Sequence, residues 1–312
     1  MNKPLVSIIM PTYNHEHYIL EALVSIVSQE RNFDIEILIG DDCSTDNTRD
    51  KCLQFKEQYP EIVKLYFNTY NTGLLKNYKN LINNARGKYI AILESDDYWC
   101  NNNKLISQIE FLEANVEYGV IYTNANFLYE DSHILKRNVQ TKKPSGFIFK
   151  KLIKGNFVIA GSVCIRKSLI DKYINIDDYI KYNFKTFDYP LWLELSLKTK
   201  FKYLNFPTIT YRIRSTSISN NSDKSKAFEF INNTLEIAKY VIRKHALNKA
   251  LIRLIQNNCL VQQIKFMCKQ NRIQDATNLA KQLSCISWDS CIKKCLLSNK
   301  MTVTLLNKFY FK

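Results

Sequence analysis

Lys88-Tyr89-Ile90-Ala91-Ile92-Leu93-Glu94-Ser95-Asp96-Asp97-Tyr98-Trp99 is an apolar run that stops at Glu94 and gives way to three carboxylates within four positions. The unbroken Ile and Leu content is the pattern of a strand buried on both faces, as in a parallel sheet. Adjacent carboxylates repel. Gathering them at a strand end calls for a cation or ligand that offsets the charge, or else for a plain acidic turn whose Asp caps the following helix. Hard oxygen ligands without a neighbouring His or Cys favour Mg²⁺ or Mn²⁺ over zinc, and Mg²⁺ typically combines one or two protein carboxylates with substrate phosphates. The stretch therefore predicts a metal and a diphosphate beyond the end of a buried strand.

Upstream, the same unit recurs. Leu5 to Met10 reads as a buried strand, ended by Pro11-Thr12-Tyr13-Asn14 and followed by helical spacing at Ile19, Leu20, Leu23, Ile26 and Val27. Ile35 to Ile39 makes a second strand. It closes on Gly40-Asp41-Asp42-Cys43-Ser44-Thr45-Asp46, a cluster suited to cap a helix from Asn47 to Gln58. A third strand, Ile62 to Phe67, leads through Asn71-Thr72-Gly73 to a helix ending near Ala85. Strands alternating with helices of ~10–15 residues predict an α/β fold, a parallel sheet with crossover helices, in which ligands bind beyond the carboxyl ends of the strands. Pro11 to Asn14, Asp41-Asp42 and Glu94 to Asp97 all fall at such ends, so three polar clusters should meet in one crevice. No Gly-x-Gly-x-x-Gly and no Walker-type loop follows any of these strands, which leaves the phosphates to a carboxylate-bound metal.

In order, Val6 to Asn14, Ile37 to Thr48, Asn71-Thr72-Gly73 and Gly87 to Trp99 resemble the successive signatures of family 2 glycosyltransferases, inverting enzymes with the GT-A fold. The chain is most similar to bacterial members that build capsule, lipopolysaccharide and other surface glycans, in which Glu-x-Asp-Asp-Tyr-Trp precedes a Lys-Leu-x-x-Gln helix, here Lys104 to Gln108. The resemblance implies a nucleotide-diphosphate sugar donor, UDP-linked, and a hydroxyl acceptor on a glycan or lipid-linked oligosaccharide. It implies hexosyl or N-acetylhexosaminyl transfer with Mg²⁺ or Mn²⁺. Pro11, Tyr13, Asn14, Asp42, Asn71, Glu94, Asp96 and Arg214 would surround the donor, with Tyr13 against the base and Asp42 accepting from it. Asp96 and Asp97 would hold the metal. Asp188, in Phe187-Asp188-Tyr189-Pro190-Leu191-Trp192, stands where the family carries its catalytic base, although the residues alone also allow a helix N-cap with Pro190 in the first turn. Three positions depart from the family pattern: Glu94 for the first Asp of the acidic motif, Phe187 for an acid or glycine, and Arg214 for a His. A guanidinium cannot ligate a metal but pairs bidentately with phosphate.

After Trp99 the pattern predicts one or two strands from Tyr118 to Tyr129, a strand at Gly161 to Arg166, and another near Thr208 to Tyr211. From Ser225 on, apolar residues at helical spacing (Ile231, Leu235, Ala238, Val241, Ile242, then Leu251, Leu254, Ile255) predict a small all-α region. The expected division is a catalytic domain over 1–222 and a basic helical region over 223–312.

With 46% hydrophobic residues and only 7 Gly and 6 Pro in 312, the chain is expected to fold throughout. The sequence predicts neither a signal peptide nor a membrane span, and nine cysteines without a Cys-x-x-Cys pair read as reduced cytosolic thiols. The formal charge is +15, and residues 225–312 hold 15 Lys and Arg against 4 Asp and Glu, so +11 of it lies there. That asymmetry predicts an acidic partner surface. Lysines between Lys293 and Lys312 alternate with Trp288, Leu296, Leu297, Phe309 and Phe311, a pattern suited to the anionic cytoplasmic face of the inner membrane. The competing class is a nucleotide- or nucleic-acid-binding protein that is no enzyme. No nucleic-acid motif appears, and the reading expects no nucleic-acid partner.

Overall fold

The structure is a computed structural model, and it describes residues 3–214 and 223–284. The chain divides into two compact units, Met1–Leu152 with Asn156–Ser217, and Ile153–Gly155 with Ile218–Lys312. In the first unit the elements run β1 (Val6–Thr12), α1 (Ile19–Val27), β2 (Ile35–Asp41), α2 (Thr48–Gln58), β3 (Val63–Phe67), α3 (Leu74–Asn84), β4 (Tyr89–Ile92), β5 (Tyr98–Trp99) and α4 (Lys104–Ala114). There follow β6 (Tyr118–Tyr129), β7 (Ile134–Lys136), α5 (Phe149–Leu152), β8 (Cys164–Arg166), α6 (Lys167–Tyr173), α7 (Ile176–Lys181), α8 (Asp188–Ser196) and β9 (Lys200–Ile213).

One nine-stranded sheet carries this unit, in the order β3-β2-β1-β4-β8-β6-β9-β5, with β7 beside β6. β3, β2, β1 and β4 are parallel throughout, in the register Val6↔Ile35 and Val6↔Tyr89. Every residue of β1, β2 and β4 is buried, which is why their sequences read as continuous apolar runs rather than alternating ones. Ile8, Met10, Ile37 and Ile39 meet Ile19, Leu23, Ile26 and Phe55 of the crossover helices in one core. Each such side chain contributes ~1.5–3 kcal/mol when fully buried. The chain leaves β1 toward β2 and β3 and returns on the other side of β1 as β4. The carboxyl ends of β1 and β4 therefore flank the point where the strand order reverses, where open α/β sheets bind ligands.

Beyond β4 the sheet turns mixed: β8 runs antiparallel to β4 and β6, and β5 to β9, while β6 and β9 are parallel. Tyr118 to Tyr129 is one strand, and its partner β9 is far longer than the sequence suggests. The strand expected from Gly161 begins only at Cys164, because Ala160–Ser162 form a 3₁₀ turn. The carbonyls there are drawn to side chains: Trp99 Nε1 donates to Gly161 (2.9 Å), Gln108 Nε2 to Ser162 (2.8 Å) and Lys104 Nζ to Val163 (3.2 Å). Lys104 is fully buried, 4.4 Å over the Trp99 ring, and burial lowers its pKa to about 7. The Lys-Leu-x-x-Gln motif thus clamps a loop of the core.

Gly40 shows how closely α3 approaches β2. A Cβ there would stand 2.2 Å from Asn77 Oδ1, while Asn77 Nδ2 donates to the Gly40 carbonyl at 2.6 Å. Gly40→Ala is expected to cost about 1–3 kcal/mol, since Asn77 is buried and must give up that bond or displace Leu81. Denaturant unfolding measures it, and a change within about 0.5 kcal/mol would contradict the packing argument.

The second unit contains α9 (Lys224–Lys244), α10 (Ala250–Lys269) and α11 (Ile273–Ala280). Asp223 caps α9 by accepting from the Lys226 amide at 3.0 Å. Ile231, Ala238, Val241, Ile242 and Ile255, picked out by their spacing, are buried. Ile264, Met267 and Cys268 of α10 pack on Ala276, Ala280 and Leu283. Among the described residues no helix is long and apolar enough to cross a membrane. The membrane-facing pattern expected over 286–312 lies outside the described residues.

Candidate active site

Hydrogen bonds tie the carboxyl ends of β1, β2 and β4 together, and so bring the three polar clusters into one crevice. The Asp42 amide donates to the Thr12 carbonyl (3.0 Å), and Ser95 Oγ lies 3.3 Å from the Pro11 carbonyl. Asn14, at φ 54°, takes its amide to Ser44 Oγ (2.9 Å) and accepts from the Thr45 amide (2.8 Å). Asn is one of the few side chains that tolerate such a backbone. Tyr13 beside it is 44% exposed, so its ring is a free face at the crevice rim, and Asn71 is exposed as well. Asp42 is buried and organises the loop between β3 and α3. Its Oδ1 accepts from the Thr72 amide (2.7 Å) and hydroxyl (2.8 Å) and from Asn68 Nδ2 (2.8 Å), and its Oδ2 from the Gly73 amide (2.8 Å). Helix capping is therefore not its task, because Asp46 accepts from the Thr48 amide at the start of α2.

Beyond β4, carboxylate oxygens of Glu94, Asp96 and Asp97 lie within 4.8 Å of one another, the one cluster of this kind among the described residues. Each has a different partner. Glu94 accepts from the Tyr78 hydroxyl (3.1 Å), buried Asp97 from the Arg212 amide (2.8 Å), and Asp96 forms an ion pair with Arg214. Arg212 also donates to the Asp96 carbonyl (2.6 Å), pairs with Glu21 and lies between the rings of Tyr18 and Tyr98, 5.0 Å from each. Its charge is thus shared outside the cluster. Burial, reinforced by Asp96 and Asp188, pushes Glu94 up to about 8, and burial with Asp96 raises Asp97 well above the usual carboxylate range. The cluster is short of positive charge. An all-oxygen donor set with that deficit fits a hard divalent cation. His15 stands beside it, with Nδ1 2.7 Å from Ser95 Oγ and Nε2 3.5 Å from Arg214, and burial lowers its pKa toward the neutral imidazole.

Asp188 is the first residue of α8, and the N-cap position belongs to Phe187, without a side-chain cap. The alternative of a capping Asp188 is corrected accordingly: the helix starts one residue earlier than its Pro suggests, and this carboxylate does not stand at the N-cap. Asn156 Nδ2 donates to Asp188 Oδ2 (2.8 Å) and is itself fixed through its Oδ1, which accepts from the Val158 amide (3.1 Å). Burial raises the pKa of Asp188, and the Tyr189 amide and Asn156 oppose that rise. Phe187 stacks on Tyr78 at 4.2 Å and 14°, and Tyr78 holds Glu94. An aromatic bridge therefore links the acid cluster to Asp188. Two of the departures noted in the sequence, Glu94 and Phe187, are the two ends of that bridge. Sequence reading named neither Tyr78, Asn156 nor His15 as part of the site. Arg212 lies two residues before Arg214, and the sequence reading gave a role in the site to Arg214 alone.

Comparison with known proteins bears on this geometry. The family model described as Glycosyl transferase family 2 matches residues 7–174. An uncharacterized protein of Mycobacterium tuberculosis is 36% identical over 126 residues, 40% of this chain, and the chain spans only 36% of that relative's length. The UDP-Glc:alpha-D-GlcNAc-diphosphoundecaprenol beta-1,3-glucosyltransferase WfgD of Escherichia coli is 31% identical over 264 residues, covering 79% of this chain and 97% of WfgD. The crystal structure of S. aureus TarS 1-349 in complex with UDP-GlcNAc superposes with a TM-score of 0.61 at 18% identity, covering 97% of this chain and 88% of that one, a likeness of fold. Matched over more than half its length by the family model, and over 79% of its length by WfgD at 31% identity, this chain belongs to the family 2 glycosyltransferases.

Proposed function

We propose that this chain transfers a sugar, with inversion, from a nucleotide-diphosphate sugar to a hydroxyl of a glycan or lipid-linked acceptor in surface-polysaccharide synthesis. The observation that carries the reading is the bridge from Glu94 through Tyr78 and Phe187 to Asp188, which holds a cation-seeking cluster and a candidate base on one crevice. UDP is the proposed nucleotide, supported by the donor that WfgD's name states and by the ligand in the TarS complex.

Asp188 takes the proton of the acceptor hydroxyl as that oxygen attacks the anomeric carbon from the face opposite the diphosphate. The bond from that carbon to the phosphate oxygen breaks as the new glycosidic bond forms, so no covalent intermediate on the protein is needed. Asn156 fixes the Asp188 carboxylate, and the bridge fixes its distance from Glu94. Tyr13 offers its exposed ring to the base, while Pro11, Asn14, Asp42 and Asn71 shape the pocket around the nucleotide, Asp42 through the loop it holds. Glu94 and Asp96 are assigned to the ribose and diphosphate side. Asp96 and Asp97 would hold Mg²⁺ or Mn²⁺, which when bound supplies Lewis-acid stabilisation of the departing nucleoside diphosphate.

The catalytic role is assigned to residues 1–222. The basic region 223–312 is assigned to hold the enzyme peripherally at an anionic, cytoplasmic membrane face near a lipid-linked acceptor. Incubation of the full chain with UDP-glucose or UDP-N-acetylglucosamine and Mn²⁺ should release UDP, and EDTA should stop it. No release from any nucleotide sugar, with retention of RNA instead, would overturn the reading.

A further inference from the structure

The three carboxylates of the cluster are not equivalent. Glu94 is met by a neutral phenol and Asp97 by a backbone amide, whereas Asp96 is met by a permanent cation, the guanidinium of Arg214. Arginine cannot shed its charge, so a divalent ion approaching Asp96 meets a like charge already on that carboxylate. Arg214 also has anchors besides Asp96: it lies 5.1 Å over the Tyr18 ring and feels the negative field of Glu130. Neutral His15 beside it adds no competing charge. The guanidinium is therefore held where it can leave Asp96 without leaving the crevice. A diphosphate offers the planar fork of Arg214 a better match than one shared carboxylate oxygen.

We propose that Arg214 is the resident counter-cation of Asp96 in the donor-free protein, and that it passes to the donor diphosphate when the donor binds, freeing Asp96 for the metal. Divalent ion and nucleotide then bind with positive coupling, each raising the affinity of the other by the same factor. This rests on the metal-dependent donor reading above and adds to it an order of events: without nucleotide, Arg214 suppresses metal binding.

Mn²⁺ binding to the full chain, followed by the electron paramagnetic resonance of the free ion, tests it. Without nucleotide, Arg214→Gln should bind Mn²⁺ about 10-fold more tightly than wild type or better. Arg214→Lys, which keeps the charge, should stay within about threefold of wild type, and Asp96→Asn combined with Arg214→Gln should lose the gain. Adding UDP should tighten Mn²⁺ binding about 10-fold in wild type and by much less in Arg214→Gln. Unchanged or weaker Mn²⁺ binding in Arg214→Gln, with binding still lost in Asp96→Asn, would overturn the proposal and leave the metal reading standing. Mn²⁺ binding in none of the proteins, even with UDP, would overturn both.

Discussion

Asp188→Asn is expected to lower turnover by about 10²–10⁴-fold while leaving UDP affinity within about twofold. The substitution keeps size and shape, and the Asn carbonyl can still accept the bond that Asn156 Nδ2 now gives to Asp188 Oδ2. What disappears is the ability to take a proton. The pH dependence follows from the direction of the Asp188 shift. Burial raises its pKa, and a base works only when ionised, so the rate should rise with pH through a limb lying above the ordinary carboxylate range. Glu94, pushed up to about 8, titrates in the same crevice, so the limb must be assigned by perturbation. Asn156→Ala removes a donor that favours the ionised Asp188, and should move the limb to higher pH. Initial rates of transfer across pH give both results, and near-normal turnover in Asp188→Asn would mean that another group is the base.

The parallel half of the sheet was legible because its strands are buried on both faces and its helices are short crossovers. Under those conditions composition and period coincide with structure, as at Ile8 and Ile37. The acid cluster was legible for a related reason: carboxylates directly after a buried strand have few structural explanations. The supporting contacts were not legible. Tyr78 reaches Glu94 from a helix 16 residues away, and Arg212 and Arg214 reach Asp97 and Asp96 across more than 110 residues. No local pattern marks such pairs. Asp42 illustrates a different limit. Its neighbours in sequence suggest either a helix cap or a base-binding carboxylate, while in three dimensions four donors from the following loop converge on it. Likewise the late start of β8 could not be read, because what delays it is the pull of Trp99, Lys104 and Gln108 on carbonyls 54 to 62 residues on.

Asp97→Asn is expected to weaken Mn²⁺-dependent UDP binding by about 10²-fold, while leaving the metal-free protein as stable as wild type or more so. The two halves of this expectation come from one feature. Asp97 is buried, and its carboxylate accepts from the Arg212 amide at 2.8 Å, so its charge is carried at a desolvation cost that raises its pKa. An Asn oxygen can accept from the same amide, so β9 should keep its place while the buried charge is gone. A ligand role and a purely structural role then predict opposite signs. Were Asp97 present to hold β9 through its charge, the neutral variant would melt at lower temperature and bind metal no differently. If it is kept charged for a cation, the variant should melt at the same or higher temperature without metal and fail to gain stability when Mn²⁺ and UDP are added, whereas wild type gains. Thermal melts with and without Mn²⁺ and UDP, beside calorimetric titration of UDP at fixed Mn²⁺, separate the two. A variant that melts lower and keeps its Mn²⁺-dependent UDP affinity would remove Asp97 from the metal site.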